Sequence, residues 1–389
     1  FALLILVAWH RPVAAAGGVM AMTIGDALAS VVGTRWGHHR YTIPGGGQKS
    51  LEGSLAMLFG TVVAALVSFL LVPEGLPLLP RSALLGLAFL TAVVATCAEA
   101  FGVKGRDNLW VPLSAGAVLY GGLSLAPHWL ASLGTGATLA TAIGILAWLK
   151  GSLSPSGVLG AIITGTLLFG LGGWAGGLSL VGFFLSSSVL SHLFRSRKRT
   201  AEEEYAKTGT RDLGQALANG GVAALLAVPL AATGDLRYLG ALVGSLAAAN
   251  ADTWATELGV LSRRPPRLIT NLQVVEAGAS GAISVAGTLA AAGGAAFVAL
   301  AAAAANPALL RSVLGIALGG LLGAMVDSLL GATIQSQYWC PQCQKATERH
   351  IHRCGTETRL YRGLPWMGND LVNLITTVVG AVVGFLLVR

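Results

Sequence analysis

About twelve times along its 389 residues the chain runs through roughly 17 to 25 mostly apolar positions, the length a helix needs to cross the hydrocarbon core of a bilayer. The runs lie near residues 12–33, 52–72, 82–102, 109–127, 129–149, 155–173, 174–194, 211–233, 237–259, 277–303, 309–337 and 370–388. In lipid the backbone must pair its own polar groups, so runs of this length read as helices. The fold class is therefore all-α, a polytopic integral membrane helix bundle of about twelve transmembrane helices. Composition agrees, with 54% hydrophobic and 11% charged residues, a balance no ordinary soluble domain shows. The opening stretch FALLILVAW reads as the end of a further apolar segment, so the chain is expected to be incomplete at its N-terminus.

Alternation of the helices puts the loops 34–51, 103–108, 150–154, 195–210, 260–276 and 338–369 on one face. With Arg211 at the start of a helix, that face holds 20 of the 25 Lys and Arg residues. Short basic loops stay cytoplasmic, so this is the expected inner face. The net charge of +8 is then a basic surface against the membrane, and no nucleic-acid partner is needed to explain it. The run RSRKRTAEEEYAK at 195–207 reads as a membrane-surface anchor.

Carboxylates inside the apolar runs need a reason, because an unpaired acid in lipid costs several kcal/mol. Asp26, Asp252 and Asp327 lie inside such runs near their expected cytoplasmic ends, joined by Glu99 and Glu257. Around Asp26 and Asp252 the sequences GDALASVVG and ADTWATELG both fit Asp-x-x-Ala-(Ser/Thr)-x-x-Gly. On a helix those positions form one stripe, so each Asp stands on a face of small residues where a second helix can approach closely. A basic loop and then a helix beginning with small residues follow each motif. Later an Asp–Asn pair opens another helix at 106–113 and again at 368–375. A third acid segment puts Asp327, Gly331 and Gln335 on one stripe. We read an internal repeat of two related halves.

Phosphoryl transfer uses carboxylates beside Arg, Lys and flexible Gly at a membrane surface, because it needs a divalent cation and cationic groups around the phosphate. In YTIPGGGQKSLEGS at 41–54, Gly45, Gly46 and Gly47 can present backbone N–H groups, Lys49 a point charge and the following helix a positive dipole end. Gln48 separates Gly47 from Lys49, so this is not the P-loop signature. Arg35 and Arg40 would complete a phosphate clamp.

The strings GDALASVVGTRWGHHRYTIPGGGQKSLEGS and CAEAFGVKGRDNLWVPL, within residues 25–113, resemble the C-terminal part of the phytol kinase and dolichol kinase family. Those membrane enzymes phosphorylate isoprenoid alcohols with CTP. From about 135 to 389, NGGVAALLA, ADTWATELG, PRLIT, GASGAISVAGT, GAMVDSLLGATIQ and NDLVN resemble the phytyl-phosphate kinase family, which includes transmembrane protein 19. The resemblance divides the chain into 1–130, a phytol or dolichol kinase-like segment, and 131–389, a phytyl-phosphate kinase-like domain carrying a cytoplasmic Cys/His loop at 338–369. It implies a CTP-dependent kinase taking an isoprenoid alcohol, an isoprenyl monophosphate or both, with membrane lipid as the medium. Carried over, Asp26, Arg35, Lys49, Glu52 and Asp107 serve a first site, and Asp252, Glu257, Arg267, Asn271, Asp327, Asn369 and Asp370 a second. Mg²⁺ on Asp26, Asp252 and Asp327 is the expected metal role.

In that loop, CPQCQKATERHIHRC offers Cys340, Cys343 and Cys354 with His350 or His352, a spacing that can hold structural zinc; we assign His350 as the fourth ligand. Two other classes stay open from the residues alone. A secondary transporter also has repeats and intramembrane acids, though its site lies near the midplane. A CTP:phospholipid cytidylyltransferase would use the same metal and nucleotide chemistry but release diphosphate.

Overall fold

A computed structural model describes residues 4, 5, 8, 10–42, 47–73, 79–102, 105, 107–193, 210–262 and 264–388. Each apolar run holds one helix: α1 (Pro12–Trp36), α2 (Leu51–Leu71), α3 (Arg81–Phe101), α4 (Asp107–Gly122), α5 (Pro127–Leu149), α6 (Pro155–Gly170), α7 (Gly173–Leu193), α8 (Leu213–Thr233), α9 (Leu236–Gly259), α10 (Val285–Ala305), α11 (Val313–Thr333) and α12 (Asn369–Leu387). Among the described residues nine helices are long and apolar enough to cross a membrane, so the count of about twelve spans is approximate. Helices α4 and α6 have only 16 residues each. Helix α9 has 24, but Asn250, Asp252 and Glu257 lower its hydropathy. The chain is a multi-pass membrane helix bundle that divides into two compact units, Phe1–Leu171 and Gly172–Arg389.

In the first unit, α1 packs on α2 and α4, α3 on α2, α4 and α5, and α5 on α6. Its core is built from Val13, Ala14, Leu87, Leu119 and Leu130, none exposed by as much as 1%. Small residues let backbones touch: a Cβ on Gly86 of α3 would run into the Leu130 carbonyl of α5, which holds these two helices at the closest possible approach. Between α1 and α2 the chain forms an antiparallel hairpin of β1 (Arg40–Thr42) and β2 (Gln48–Ser50), with Tyr41 opposite Lys49. Ser50 ends the hairpin and caps α2, its hydroxyl accepting from the Gly53 N–H at 3.2 Å. Helix α1 contains a π-helical turn, Ala21–Asp26, that ends on the motif Asp. Such one-residue insertions cluster at functional sites.

In the second unit α9 is the central helix. Every residue from Leu239 to Ala251 is buried, against α7, α8, α10, α11 and α12. Gly240 and Gly244 of α9 meet Gly380 and Gly384 of α12, where any Cβ would strike the opposing carbonyl oxygen. Asn250, wholly buried, accepts from the Ser186 hydroxyl of α7 at 3.0 Å and donates to the Gly294 carbonyl of α10 at 2.8 Å. A short hairpin of β3 (Arg267–Leu268) and β4 (Ala282–Ile283) precedes α10. A three-stranded antiparallel sheet, β6 (Lys345–Thr347), β5 (Gln337–Cys340) and β7 (Arg359–Arg362) in that spatial order, fills the loop between α11 and α12.

The repeat is visible in the packing. In the first unit a Cβ on Gly53 would lie 3.1 Å from the Ala29 carbonyl oxygen and 3.3 Å from the Gly33 Cα. In the second, a Cβ on Gly287 would lie 3.4 Å from the Ala255 carbonyl oxygen and 3.5 Å from the Gly259 Cα. Ser284 caps α10 through the Gly287 N–H at 3.0 Å, as Ser50 caps α2. Each unit thus has an Asp-bearing helix, a hairpin, a Ser cap and a glycine crossing in the same order. The motif glycines are needed because the two helices meet backbone to backbone there.

Candidate functional sites

A pocket of about 320 Å³ opens in the first unit, lined by Asp26, Ser30, Arg40, Lys49, Glu99 and Asp107 among others. These side chains come from α1, the hairpin, α3 and α4. The hairpin register delivers Lys49 to the acids: its Nζ lies 2.5 Å from Glu99 Oε1 and 3.5 Å from Asp107 Oδ2. Burial works against the Lys49 ammonium. The hydrogen bond to Glu99 and the charges of Glu99 and Asp107 outweigh it, and the Lys49 pKa lies above the ordinary lysine value. Asp26 lies within electrostatic reach of both Asp107 and Lys49. Three carboxylates and two cations therefore share one polar cavity, which suits a charged ligand with a cation of its own.

Two residues expected at this site lie outside the pocket lining. Glu52 accepts from the His39 ring at 2.6 Å and from the His39 backbone N–H at 3.2 Å, tying the start of the hairpin to the first turn of α2. Arg35 is exposed in the last turn of α1, outside the pocket lining. Gly46 lies outside the described residues, as does the run 195–207. Glu99 was legible only as an intramembrane acid. Its place in the site depends on Lys49, which lies fifty positions away in sequence.

In the second unit Asp252 of α9 and Asp327 of α11 are close enough for their charges to act on each other. Asp327 accepts from the Thr376 hydroxyl of α12 at 2.9 Å and feels the charge of Glu348. Glu348 follows β6 and accepts from Ser280 at 3.0 Å and Gln335 at 2.9 Å. Of the expected stripe, Asp327 and Gly331 lie one turn apart on α11, whereas the helix ends at Thr333 and Gln335 lies beyond it; Arg362 donates to the Gly331 carbonyl at 2.8 Å, and Gln335 donates to Glu348. Gly281, with a φ of +83°, brings the Ser280 loop against Ala332 at the end of α11, where a side chain would not fit.

The other second-site expectations are scattered. Glu257 accepts from Ser191 of α7 at 2.5 Å. Arg267 donates to the Leu272 carbonyl at 2.8 Å, and Asn271 closes its own turn by accepting from the Gln273 N–H at 3.1 Å. Asn369 and Asp370 form the half-buried first turn of α12. Sequence reasoning passed over Glu348, Thr376, Ser280 and Arg362, because polar residues in a loop or a lone Thr in an apolar helix carry no motif. Arg362 keeps a buried Nε with no hydrogen-bond partner among the described residues, a donor available to an anion.

Among the described residues one group of three or more His, Cys, Asp or Glu atoms is close enough to hold a metal ion by itself: Cys340, Cys343, His352 and Cys354. The fourth member is His352 and not His350, whose ring packs on Tyr338 with centroids 4.4 Å apart. The two carboxylate sites fit a different mode. Mg²⁺ keeps several waters and takes one or two protein carboxylates with phosphate oxygens, which Asp26 with Asp107 and Asp252 with Asp327 can supply.

Residues 138–381 match a family described as integral membrane protein DUF92. The chain is 33% identical over 263 residues to Protein PGR of Arabidopsis thaliana, covering 61% of this chain and 90% of the relative. It is 37% identical over 111 residues to a Synechocystis protein named phytol kinase, covering 28% and 45%. It is 27% identical over 241 residues to Protein VTE6, chloroplastic, of Arabidopsis thaliana, covering 60% and 65%. No solved structure matches the chain.

Proposed function

The chain belongs to the DUF92 family of integral membrane proteins, and from that premise we propose that it is a CTP-dependent kinase of isoprenoid lipids. The first unit phosphorylates an isoprenoid alcohol and the second its monophosphate, so that a prenol becomes a prenyl diphosphate. The resemblance divides the chain at 130/131, ahead of the boundary between the compact units at 171/172, and the site residues of each step fall in the same unit by either division. A phytol kinase among the relatives supports the kinase class. The observation that carries the reading is the convergence of Asp26, Arg40, Lys49 and Asp107, four positions chosen from sequence, on one polar pocket.

In the first step the alcohol oxygen bonds to the γ-phosphorus while the bond to the β–γ bridging oxygen breaks, CDP leaves and the hydroxyl proton passes to a carboxylate or water; in the second an anionic oxygen of the monophosphate makes the same displacement of CDP, with no hydroxyl proton to remove. Bound Mg²⁺ would neutralise charge on the β- and γ-phosphates. Asp26 and Asp107 would hold it in the first unit, Asp252 and Asp327 in the second. Lys49 and Arg40 face the phosphate in the first unit and Arg362 in the second, and Glu99 fixes the Lys49 ammonium. Glu99 and Asp107 lie at the ends of α3 and α4, and Asp252 and Asp327 within about two turns of the ends of α9 and α11, where a lipid hydroxyl at the headgroup level reaches them; Asp26 sits deeper in α1 and lines the same pocket as Glu99 and Asp107. The basic loops are assigned to the cytoplasm, where CTP is available.

The test is purified protein with CTP, Mg²⁺ and phytol, geranylgeraniol or their monophosphates. CDP and a phosphorylated lipid are expected. CTP consumed with diphosphate as the only nucleotide-derived product would mean cytidylyl transfer and would overturn the kinase reading.

A further inference from the structure

The Cys/His cluster between α11 and α12 takes no part in the chemistry above, yet its backbone is shaped around sulfur. Cys340 ends β5, and the Cys343 N–H points at Cys340 Sγ over 3.5 Å. Gln344, the next residue, is held at a left-handed φ of 52°, which a non-glycine residue adopts only where its surroundings impose it. The second half of the cluster repeats the device. His352 and Cys354 flank a turn closed by the Gly355 N–H on the His352 carbonyl at 2.9 Å, and Gly355 has a φ of 83°. A bridge between Ile351 and Glu357 closes this turn at its base, and the Thr356 hydroxyl donates to Gln342 in the first half.

Distances then distinguish the uses of four such ligands. Cys340 Sγ and Cys354 Sγ are 3.6 Å apart, and His352 Nδ1 is 3.2 Å from Cys354 Sγ. All four ligand atoms fall within 4.8 Å of one another. Ligands about 2.0–2.3 Å from a tetrahedral zinc stand about 3.5–3.8 Å from each other. A disulfide needs its sulfurs about 2.05 Å apart. The geometry points to one Zn²⁺ bound by Cys340, Cys343, His352 and Cys354, a closed four-ligand site that organises structure and leaves no position for substrate.

What it organises follows from the strands. The sheet of β5, β6 and β7 has strands of three or four residues, too short to hold a core of their own. Lys345 pairs with Cys340, and β6 runs from there to Thr347. The next residue is Glu348, whose carboxylate accepts from Ser280 and Gln335 and acts on Asp327. Zinc thus fixes the base from which Glu348 holds the Ser280 loop and Gln335 at the end of α11.

The site is tested without lipid or nucleotide, so its failure and that of the kinase reading are separable. The full chain, purified in nanodiscs with its thiols reduced, is expected to hold one zinc by elemental analysis. Cys343→Ser and His352→Ala should weaken zinc binding about 100-fold or more, since even an outer-shell partner is worth about 10–100-fold. His350→Ala should keep the metal. Wild-type protein reloaded with Co²⁺ should show a thiolate charge-transfer band and tetrahedral d–d intensity, a readout that needs no variant to fold. Chelation should raise hydrogen exchange in 337–362 and around Ser280, leaving the α9–α12 seam protected. The proposal is overturned if the reduced chain takes up neither Zn²⁺ nor Co²⁺, or if His350→Ala loses metal as fully as His352→Ala. Zinc loss that leaves exchange around Ser280 unchanged would remove the link to Glu348.

Discussion

Replacing Lys49 by methionine tests how the first pocket keeps its acids charged. The Lys49 ammonium is 2.5 Å from Glu99 and 3.5 Å from Asp107, and the three side chains are 21, 7 and 21% exposed. At an effective dielectric of about 20 the closer pair attracts by roughly 6–7 kcal/mol in gross terms. Most of that offsets the desolvation of the two groups. Lys49→Met leaves the Glu99 carboxylate nearly enclosed beside Asp26 and Asp107, so the expected loss of stability is about 3 kcal/mol. Glu99→Gln alone should cost about 1–2 kcal/mol, because the remaining ammonium is partly solvated and keeps Asp107. The double variant should then be no worse than Lys49→Met, a coupling of about 1–2 kcal/mol. The assay is reversible unfolding in mixed micelles, read as a double-mutant cycle. Coupling below about 0.5 kcal/mol, as for independent sites, would refute the argument.

Three further outcomes are expected. Asp252→Asn and Asp327→Asn should each lower phosphorylation of the isoprenyl monophosphate by about 100-fold or more while the protein still inserts and folds, measured by label transfer and thermal stability; undiminished turnover in both removes their metal role. Gly53→Val and Gly287→Val should each destabilise their unit by about 1–3 kcal/mol, since the branched side chain meets the Ala29 or Ala255 carbonyl and the facing glycine. Equal tolerance of valine at both positions would contradict the shared crossing. Removal of Mg²⁺ with a chelator should stop turnover and Mg²⁺ should restore it; activity that persists in metal-free buffer would discard the two-carboxylate role.

Much of the bundle was legible because lipid leaves the backbone few choices: each long apolar run became one helix, α1 to α12. The repeat was legible because helix periodicity puts Asp26, Ala29 and Gly33 on one face, as it does Asp252, Ala255 and Gly259. Tertiary pairings were not. Nothing local says that Glu99 meets Lys49, that Glu52 is spent on His39, or that Arg267 closes its own loop on the Leu272 carbonyl. Glu348 sits among the zinc-type ligands and reads as part of them, while its carboxylate serves another place through Ser280 and Gln335. The π-helical turn ending at Asp26 has no counterpart in hydropathy, since inserting one residue leaves an all-apolar helix looking the same. His350 and His352 differ by two positions, and only the turn at Gly355 decides which reaches the sulfurs.

The claim that each unit carries its own phosphoryl-transfer site is tested most directly by following γ-labelled CTP with Asp26→Asn and Asp252→Asn proteins in parallel. Asp26→Asn should lose transfer to the alcohol and keep transfer to the monophosphate, and Asp252→Asn should do the reverse. Both steps surviving in both variants, or label never reaching lipid in the wild-type protein, would contradict it.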